Sequence, residues 1–385
     1  MSNIGKTLGY NQQDQVFMAQ AIQLARRGLY TTQPNPRVGC VIVNNAELVG
    51  SGWHEKAGSD HAEIVALRAA GESAHGATCY VTLEPCCHQG RTGPCDQALI
   101  AAGIKRVVIA MEDPNPQVFG QGVVQLKAAG IDVELGLLRA QALELNKGFV
   151  SRMQRQRPYV YCKLAMSLDG RTAMASGDSQ WITSPAARLD VQRLRAQCSA
   201  IITGCGTVLV DEPGMQVRWR ELADAGELSA PLSDYSQPLR VVLDSNLKTS
   251  PQAKVYGPPG ATMVVTASKA AERYLAYENR GISVEVCADE AGRVDLAKML
   301  NYLAQRQINE VLLEAGPTLC GAFLKANLVD ELVIYMAPKL MGSTARPLFD
   351  LPFDDMAQAL SLTIKEVRAV GDDWRITATP SKTDV

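Results

Sequence analysis

His61-Ala62-Glu63, followed by Pro85-Cys86 and then Cys95, is the stretch that decides how this 385-residue chain is read. All four histidines (His54, His61, His75, His88) fall within one 35-residue window, beside Cys79, Cys86, Cys87 and Cys95. A metal-activated water needs three protein ligands, one open coordination position and a nearby carboxylate to move protons. His61, Cys86 and Cys95 are the candidate ligands of one zinc ion, and Glu63 is the candidate catalytic residue. A closed structural zinc site, with Cys87 or His88 as fourth ligand, is the competing arrangement. Adjacent residues tend to point apart, which makes Cys86 and Cys87 a poor ligand pair.

Local geometry supports the catalytic version. Ser59 or Asp60 can cap a helix from about His61 to Ser73, with Ile64, Ala66, Leu67 and Ala70 available for packing. His61 then occupies the first turn. Glu63 follows about 200° further round, off the ligand face but within reach of a reacting water. The apolar run Ala77 to Leu83 reads as a buried strand delivering Pro85-Cys86, and a second helix begins near Cys95 or Asp96. Two helix N-termini beside the metal would favour thiolate over thiol.

Zinc nucleobase deaminases carry His-x-Glu with Pro-Cys-x-x-Cys, whereas Cys86 and Cys95 enclose eight residues. In that departure the chain resembles the bifunctional deaminase–reductases of bacterial riboflavin biosynthesis. The resemblance rests on Pro34-Asn35-Pro36-Arg37-Val38-Gly39, His61-Ala62-Glu63, Leu83-Glu84-Pro85-Cys86, Gly90-Arg91-Thr92-Gly93-Pro94-Cys95 and Asp113-Pro114-Asn115-Pro116. It continues through Ser167-Leu168-Asp169-Gly170-Arg171-Thr172-Ala173, Gln180-Trp181-Ile182-Thr183-Ser184 and Glu314-Ala315-Gly316-Pro317-Thr318-Leu319, from about Asp14 to Thr379. It implies hydrolytic removal of the 2-amino group of 2,5-diamino-6-(5-phosphoribosylamino)pyrimidin-4-one. Reduction of the ribosyl group of the deaminated product to ribityl, with NADPH, would follow.

The expected fold is α/β throughout: a three-layer α/β/α cytidine-deaminase-like domain over residues 1–147, then a dihydrofolate-reductase-like domain over 148–385. Helix Asp14 to Arg27, a strand pair (Val38–Val43, Glu47–Trp53), strand Arg106–Met111, helix Gln121–Ala129 and strand Ile131–Leu135 complete the first domain. The basic stretch Lys147 to Arg157 reads as a solvated boundary. Beyond it, Ser184-Pro185 opens a helix to Gln197. Strands are expected at Ala200–Thr203, Arg240–Asp244, Thr262–Thr266, Ser283–Cys287 and Glu310–Glu314, with Glu221 to Gln237 as a surface loop and a closing hairpin around Gly371-Asp372-Asp373.

No Gly-x-Gly-x-x-Gly follows a strand. Instead a strand runs into Ala315-Gly316-Pro317-Thr318 and a helix from Leu319 to Ala326, whose first-turn N–H groups can bind phosphate. Gly204-Cys205-Gly206-Thr207 makes a similar transition. Carried over from the family, the cofactor would meet Ala165, Trp181, Thr207, Asp211, Ser245, Gly316, Pro317, Thr318, Leu319, Cys320, Gly321 and Ala322. The substrate would meet Ser179, Arg195, Met215, Arg218 and Glu314. Arg195 and Arg218 suit a phosphate dianion through forked hydrogen bonds. Lys248 stands where relatives often have arginine.

The formal net charge of −2, pI near 6.2 and 5% aromatic content speak against a nucleic-acid deaminase. They give no case for an anionic membrane either. No run approaches the roughly 18 apolar residues of a span, and the first thirty residues lack a signal-peptide core. A non-catalytic zinc- and NADPH-binding regulator would require a fourth protein ligand on the metal. Cys40, Cys79, Cys162, Cys198 and Cys205 sit in or beside apolar stretches, as buried thiols of a cytoplasmic protein do. A homo-oligomer, a dimer, acting on a small phosphoribosylated pyrimidine is the expected state, without nucleic acid or membrane partners.

Overall fold

Gly39–Asn44 (β1) runs from glycine and cysteine into three branched residues and is buried along nearly its whole length, as suits its central place between two neighbours. A computed structural model describes residues 10–87, 93–116 and 118–381. The chain divides into two compact units, one ending at Gln156 and the other beginning at Arg157.

In the first unit, Glu47–Trp53 (β2), β1, Thr78–Val81 (β3), Arg106–Ile109 (β4) and Asp132–Leu135 (β5) form a sheet in the order β2-β1-β3-β4-β5. β1 runs antiparallel to β2 and β3, whereas β3, β4 and β5 are parallel. Gln12–Arg26 (α1) and Arg139–Arg155 (α5) pack together. Ala62–Ala70 (α2), Cys95–Ala101 (α3) and Gln121–Ala128 (α4) follow one another in contact. Glycine sets the close approach of both layers. A Cβ on Gly39 would lie 2.0 Å from the Ala21 carbonyl oxygen of α1. On Gly50 and Gly52 it would lie 2.3 and 2.7 Å from the Ala66 and Ala62 oxygens of α2. Gly52 pairs with Cys40 and Gly50 with Ile42, out of phase with Gly39, so α1 and α2 cover opposite faces. The three-layer α/β/α expectation is met.

The second unit centres on a nine-stranded sheet. Its strands are Tyr159–Ser167 (β6), Ala200–Gly204 (β8), Leu239–Leu243 (β9), Thr262–Thr266 (β10), Ser283–Val286 (β11), Glu310–Leu313 (β12), Glu331–Ala337 (β13), Leu362–Val370 (β15) and Asp373–Pro380 (β16). Their order is β11-β10-β9-β8-β12-β6-β13-β16-β15, parallel except where β16 meets β13 and β15. Arg171–Ala173 (β7) and Arg346–Pro347 (β14) pair separately. The helices are Pro185–Gln197 (α6), Cys205–Asp211 (α7), Trp219–Asp224 (α8), Tyr274–Glu278 (α9), Leu296–Gln305 (α10) and Pro317–Lys325 (α11). Two apolar clusters fill the unit, one including Val160, Val311 and Phe323 and the other including Tyr161, Ile201 and Val333. Adjacent residues of β6 and β8 thus point into different cores.

Several expectations are corrected. His61 is the N-cap of α2, not a residue of its first turn, and neither Ser59 nor Asp60 caps the helix. Ser59 bonds to Lys56 and Asp60 pairs with Arg68 instead. The basic stretch Lys147 to Arg157 is largely helix: α5 carries buried Phe149 and Ser151 and runs through the expected 147/148 boundary. The span Glu221 to Gln237 contains the end of α8 and a short 3₁₀ turn at Leu232–Asp234. Buried Tyr235 stacks on Trp219 there, with ring centroids 4.8 Å apart. Cys40, Cys79, Cys162 and Cys198 are buried, but Cys205 is only half-buried at the start of α7. Strands β7, β13 and β14 and helices α9 and α10 were not anticipated. Among the described residues no helix is long and apolar enough to cross a membrane.

Candidate metal centre and nucleotide cleft

The first site is assembled by two helix starts and one strand end. His61 precedes α2, Cys95 opens α3, and Cys86 lies on the loop beyond β3. His61 Nδ1 is 3.2 Å from Cys95 Sγ and 3.5 Å from Cys86 Sγ. Ordinary zinc–nitrogen and zinc–sulfur bonds at tetrahedral angles give an N···S edge of about 3.5 Å. Donor types and spacing therefore fit zinc. Cys87 turns away, its Sγ 3.8 Å from Gln121 Oε1. Among the described residues, these three form the one histidine–cysteine–carboxylate cluster with metal-binding spacing. His88, Gly90, Arg91 and Thr92 lie outside the described residues.

Electrostatics follow from that geometry. The Cys86 thiol is held down to about 4, first by the hydrogen bond from Cys95 and then by His61 and the Cys95 backbone N–H, 3.4 Å away. Cys95, as the donor of that pair and buried, is pushed well up. The hydrogen bond with Cys86 raises His61. Glu63 is 4% exposed, and burial, helped by the Cys86 charge, pushes its carboxyl up to about 7. A carboxyl poised near neutrality can both take and return a proton.

Two supports went unread in the sequence. Glu84 accepts from the N–H groups of Asp113, Gly120 and Val123 at 3.2, 3.0 and 3.2 Å, tying the loop that carries Cys86 to the start of α4. A Cβ on Gly122 would lie 2.3 Å from the Pro85 oxygen, so only glycine admits this contact. His54 is buried beside His61, ring centroids 5.6 Å apart, with Asp60 O on Nδ1 and Asn35 on Nε2. Burial lowers its pKa. Membership of the histidine cluster was the available signal, but His54 has no ligand spacing to reveal its place.

The second unit holds a cleft of about 530 Å³ at the carboxyl ends of β6, β8 and β12, where ligands of open α/β sheets gather. Of the expected residues, Ala165, Ser179, Trp181, Arg195, Thr207, Asp211, Met215, Glu314, Gly316, Pro317 and Thr318 line it. Gly316 caps α11 and Pro317 is its first residue, so the free N–H groups of the first turn begin at Thr318. Ser245, Arg218, Leu319, Cys320, Gly321 and Ala322 are not on its wall. Cys320 is buried in the core against the Ala315 oxygen, and a Cβ on Gly321 would lie 2.5 Å from the Asp350 oxygen. Ser245 Oγ accepts from the Val294 N–H.

Each of the two arginines expected at a phosphate pairs with a carboxylate. Arg195 forks onto Glu314, Nε to Oε1 at 2.6 Å and Nη2 to Oε2 at 3.0 Å, and its Nη1 donates to Gln216 O. Arg218 pairs with Glu221 at 2.7 Å. Both guanidinium groups are drawn to nearer carboxylates. Lys163, Arg188 and Arg346 line the cleft unanticipated, because single cations on separate elements form no motif. Lys163 Nζ lies 3.9 Å from Glu314, and burial lowers its pKa.

Comparison with known proteins agrees with this geometry. Residues 11–111 match the cytidine and deoxycytidylate deaminase zinc-binding region, and residues 158–376 the RibD C-terminal domain. The chain is 51% identical over 362 residues to the riboflavin biosynthesis protein RibD of Escherichia coli K12, covering 94% of this chain and 98% of that one. It is 42% identical over 369 residues to the RibD protein of Bacillus amyloliquefaciens, covering 95% and 96%. Among solved structures it is similar to Acinetobacter baumannii RibD, with 46% identity, TM-score 0.88 and coverage of 96% and 99%. A Thermotoga maritima diaminohydroxyphosphoribosylaminopyrimidine deaminase/5-amino-6-(5-phosphoribosylamino)uracil reductase gives 31% identity, TM-score 0.83 and the same coverage. The expected fold class is borne out: a deaminase-like domain followed by a reductase domain of the dihydrofolate-reductase kind.

Proposed function

The chain belongs to the RibD family, deaminase and reductase of riboflavin biosynthesis in one polypeptide, and from that premise we propose which residues carry each reaction. His61, Cys86 and Cys95 hold one zinc ion. Zinc, when bound there, supplies a Lewis acid able to lower the pKa of water from about 16 to about 7. Glu63 takes the proton of the attacking water at its carboxylate and passes it to the pyrimidine ring nitrogen, then takes the hydroxyl proton of the resulting adduct and delivers it to the amino group, which leaves as ammonia. Its burial and a carboxyl poised near 7 support this double duty. The two helix N-termini favour the thiolates and the negative charge that builds during attack.

The cleft of the second unit is read as the reductase site, with NADPH as cofactor. Donor chemistry supports an anionic nucleotide: first-turn N–H groups of α11, the Thr207 and Thr318 hydroxyls, and more cations than carboxylates on the wall. NADPH, when bound, supplies the hydride for the ribosyl C1′. Glu314 orients the Arg195 guanidinium, and with Lys163 these groups face the sugar of the deaminated intermediate. The remaining cofactor residues (Leu319, Cys320, Gly321, Ala322) act by holding the α11 start in place, and Ser245 by fixing the turn after β9. A cytoplasmic home and a homodimer complete the reading. Buried thiols in both units support the first, and exposed Ile364, Val367 and Trp374 on one face of the terminal hairpin support the second.

The observation that carries the deaminase assignment is the buried Glu63 beside the His61–Cys86–Cys95 trio. Glu63→Gln should retain zinc and fold while ammonia release falls about 10⁴-fold, the upper end for a general acid–base group that moves more than one proton. NADPH oxidation with supplied deaminated substrate should persist. A residual deamination rate within threefold of wild type would remove Glu63 from the mechanism.

A further inference from the structure

Cys86 sits on a loop, outside any helix or strand, so its thiol is only as well placed as the contacts that hold that loop. On its C-terminal side α3 holds it. The Asp96 N–H donates to the Cys86 oxygen at 3.2 Å, and the Cys95 N–H to Cys86 Sγ at 3.4 Å. On the other side stands Glu84, 2% exposed, and among the described residues no cation pairs with it. A buried carboxylate without a cation is costly unless hydrogen bonds surround it. Glu84 finds them in backbone: Oε2 accepts from the N–H groups of Asp113 and Gly120, and Oε1 from that of Val123.

Those donors belong to a helix start that cannot cap itself. The N-cap of α4 is Gly120, left-handed at φ +72° and without a side chain to accept a bond. A capping box satisfies the N–H groups of the N-cap and of the third helical residue. In α4 these are Gly120 and Val123, and both donate to Glu84. The carboxylate also lies at the helix end that favours an anion. Glu84 thus caps α4 from another element, and α4 in return fixes residue 84, two positions before the thiol. The neighbouring residues follow the same surface. The Pro85 oxygen would lie 2.3 Å from a Cβ on Gly122, and Cys87 Sγ is 3.8 Å from Gln121 Oε1. With Glu84, Pro85 and Cys87 all held against the start of α4, Cys86 is turned the other way, its Sγ 3.5 Å from His61 Nδ1.

We propose that Glu84 is a positioning residue of the deaminase centre: by capping α4 it fixes the Cys86 thiolate for zinc, an assignment that rests on reading His61, Cys86 and Cys95 as the ligands. Full-length, zinc-loaded protein would be compared with Glu84→Gln, Gly122→Ala, Met18→Ala and Cys86→Ser. Zinc loss to an excess of chromogenic chelator, the visible spectrum after cobalt substitution and both turnovers would be followed. Glutamine keeps the shape of the side chain, but its amide nitrogen is a donor and leaves an N–H of the cap unmet. Alanine at 122 keeps the carboxylate and pushes on Pro85. Each should release zinc about 10–100-fold faster than wild type and shift the cobalt–thiolate absorption. Deamination should lose kcat more than KM, while NADPH oxidation with supplied deaminated substrate persists. Met18, fully buried in α1, controls for destabilisation alone: Met18→Ala should melt earlier yet release zinc at the wild-type rate. In wild type, removing zinc should speed hydrogen exchange across residues 113–123, a readout that needs no variant to fold. Zinc release within threefold of wild type in both folded variants, equally fast release from Met18→Ala, or exchange at 113–123 indifferent to zinc each overturns the proposal. Zinc retained by Cys86→Ser would instead sink the ligand trio on which it rests.

Discussion

Cys86 accepts from the Cys95 thiol and from the Cys95 backbone, whereas Cys87, the next residue, faces Gln121. Of these two neighbours, Cys86 faces His61 and Cys95 and has its thiol held down, whereas burial raises that of Cys87. Cys86→Ser should therefore leave the purified protein with little zinc by metal analysis. Cys87→Ser should keep about one ion per chain, as a single three-ligand site requires. Equal loss in both would mean that the ligand set is wrong. The trio was legible in sequence because ligand chemistry restricts residue type and the chain brings the three within 35 positions. The engagement of Arg195 by Glu314 was not, since the partners lie 119 residues apart.

Ser184-Pro185 starts α6 as the local code demands, the serine hydroxyl accepting from the Ala187 N–H. What that helix holds is a tertiary matter. Its Asp190, 1% exposed, accepts from Tyr335 of β13, from Arg368 of β15 and from Arg375 of β16. Burial would raise its pKa, but Tyr335 and the two guanidinium groups more than offset this and hold it low. A depressed acid stabilises the fold above its unfolded value of about 3.9 and loses that contribution as pH falls through the folded value. Asp190→Asn should cost about 3 kcal/mol at pH 7, the low end for breaking a buried pair because Arg368 is partly exposed. The difference from wild type should shrink towards pH 3 in denaturant titrations of the second unit. A cost that stays constant with pH would show that charge is not what Asp190 contributes. The kink of α5 has a similar long-range cause: Asn146, with non-helical φ and ψ, receives the Arg37 N–H and donates to its carbonyl.

At the scale of the molecule, each unit has its own sheet and core, which predicts separable domains. The cut belongs before Arg157, whose guanidinium clamps Asp330 at 2.7 and 2.8 Å. A start at Gly148 would strand half of α5 with Phe149 uncovered. A chain from Arg157 onward should fold by circular dichroism and bind NADPH without zinc, and a bulky residue at Thr318 should weaken that binding. A folded fragment that binds no NADPH at millimolar concentration refutes an independent reductase. The alternation of helix and strand, the helix starts at Ser184 and Gly316, and the zinc trio were determined by the sequence itself. Periodicity, capping and ligand chemistry act over a few residues or demand particular side chains. How Arg195 meets Glu314, where the first unit ends and how His54, Glu84 and Lys163 join their sites were decided only by tertiary structure. Charges and hydrogen bonds select partners by distance in space, and the folded chain brings together residues that no local pattern connects.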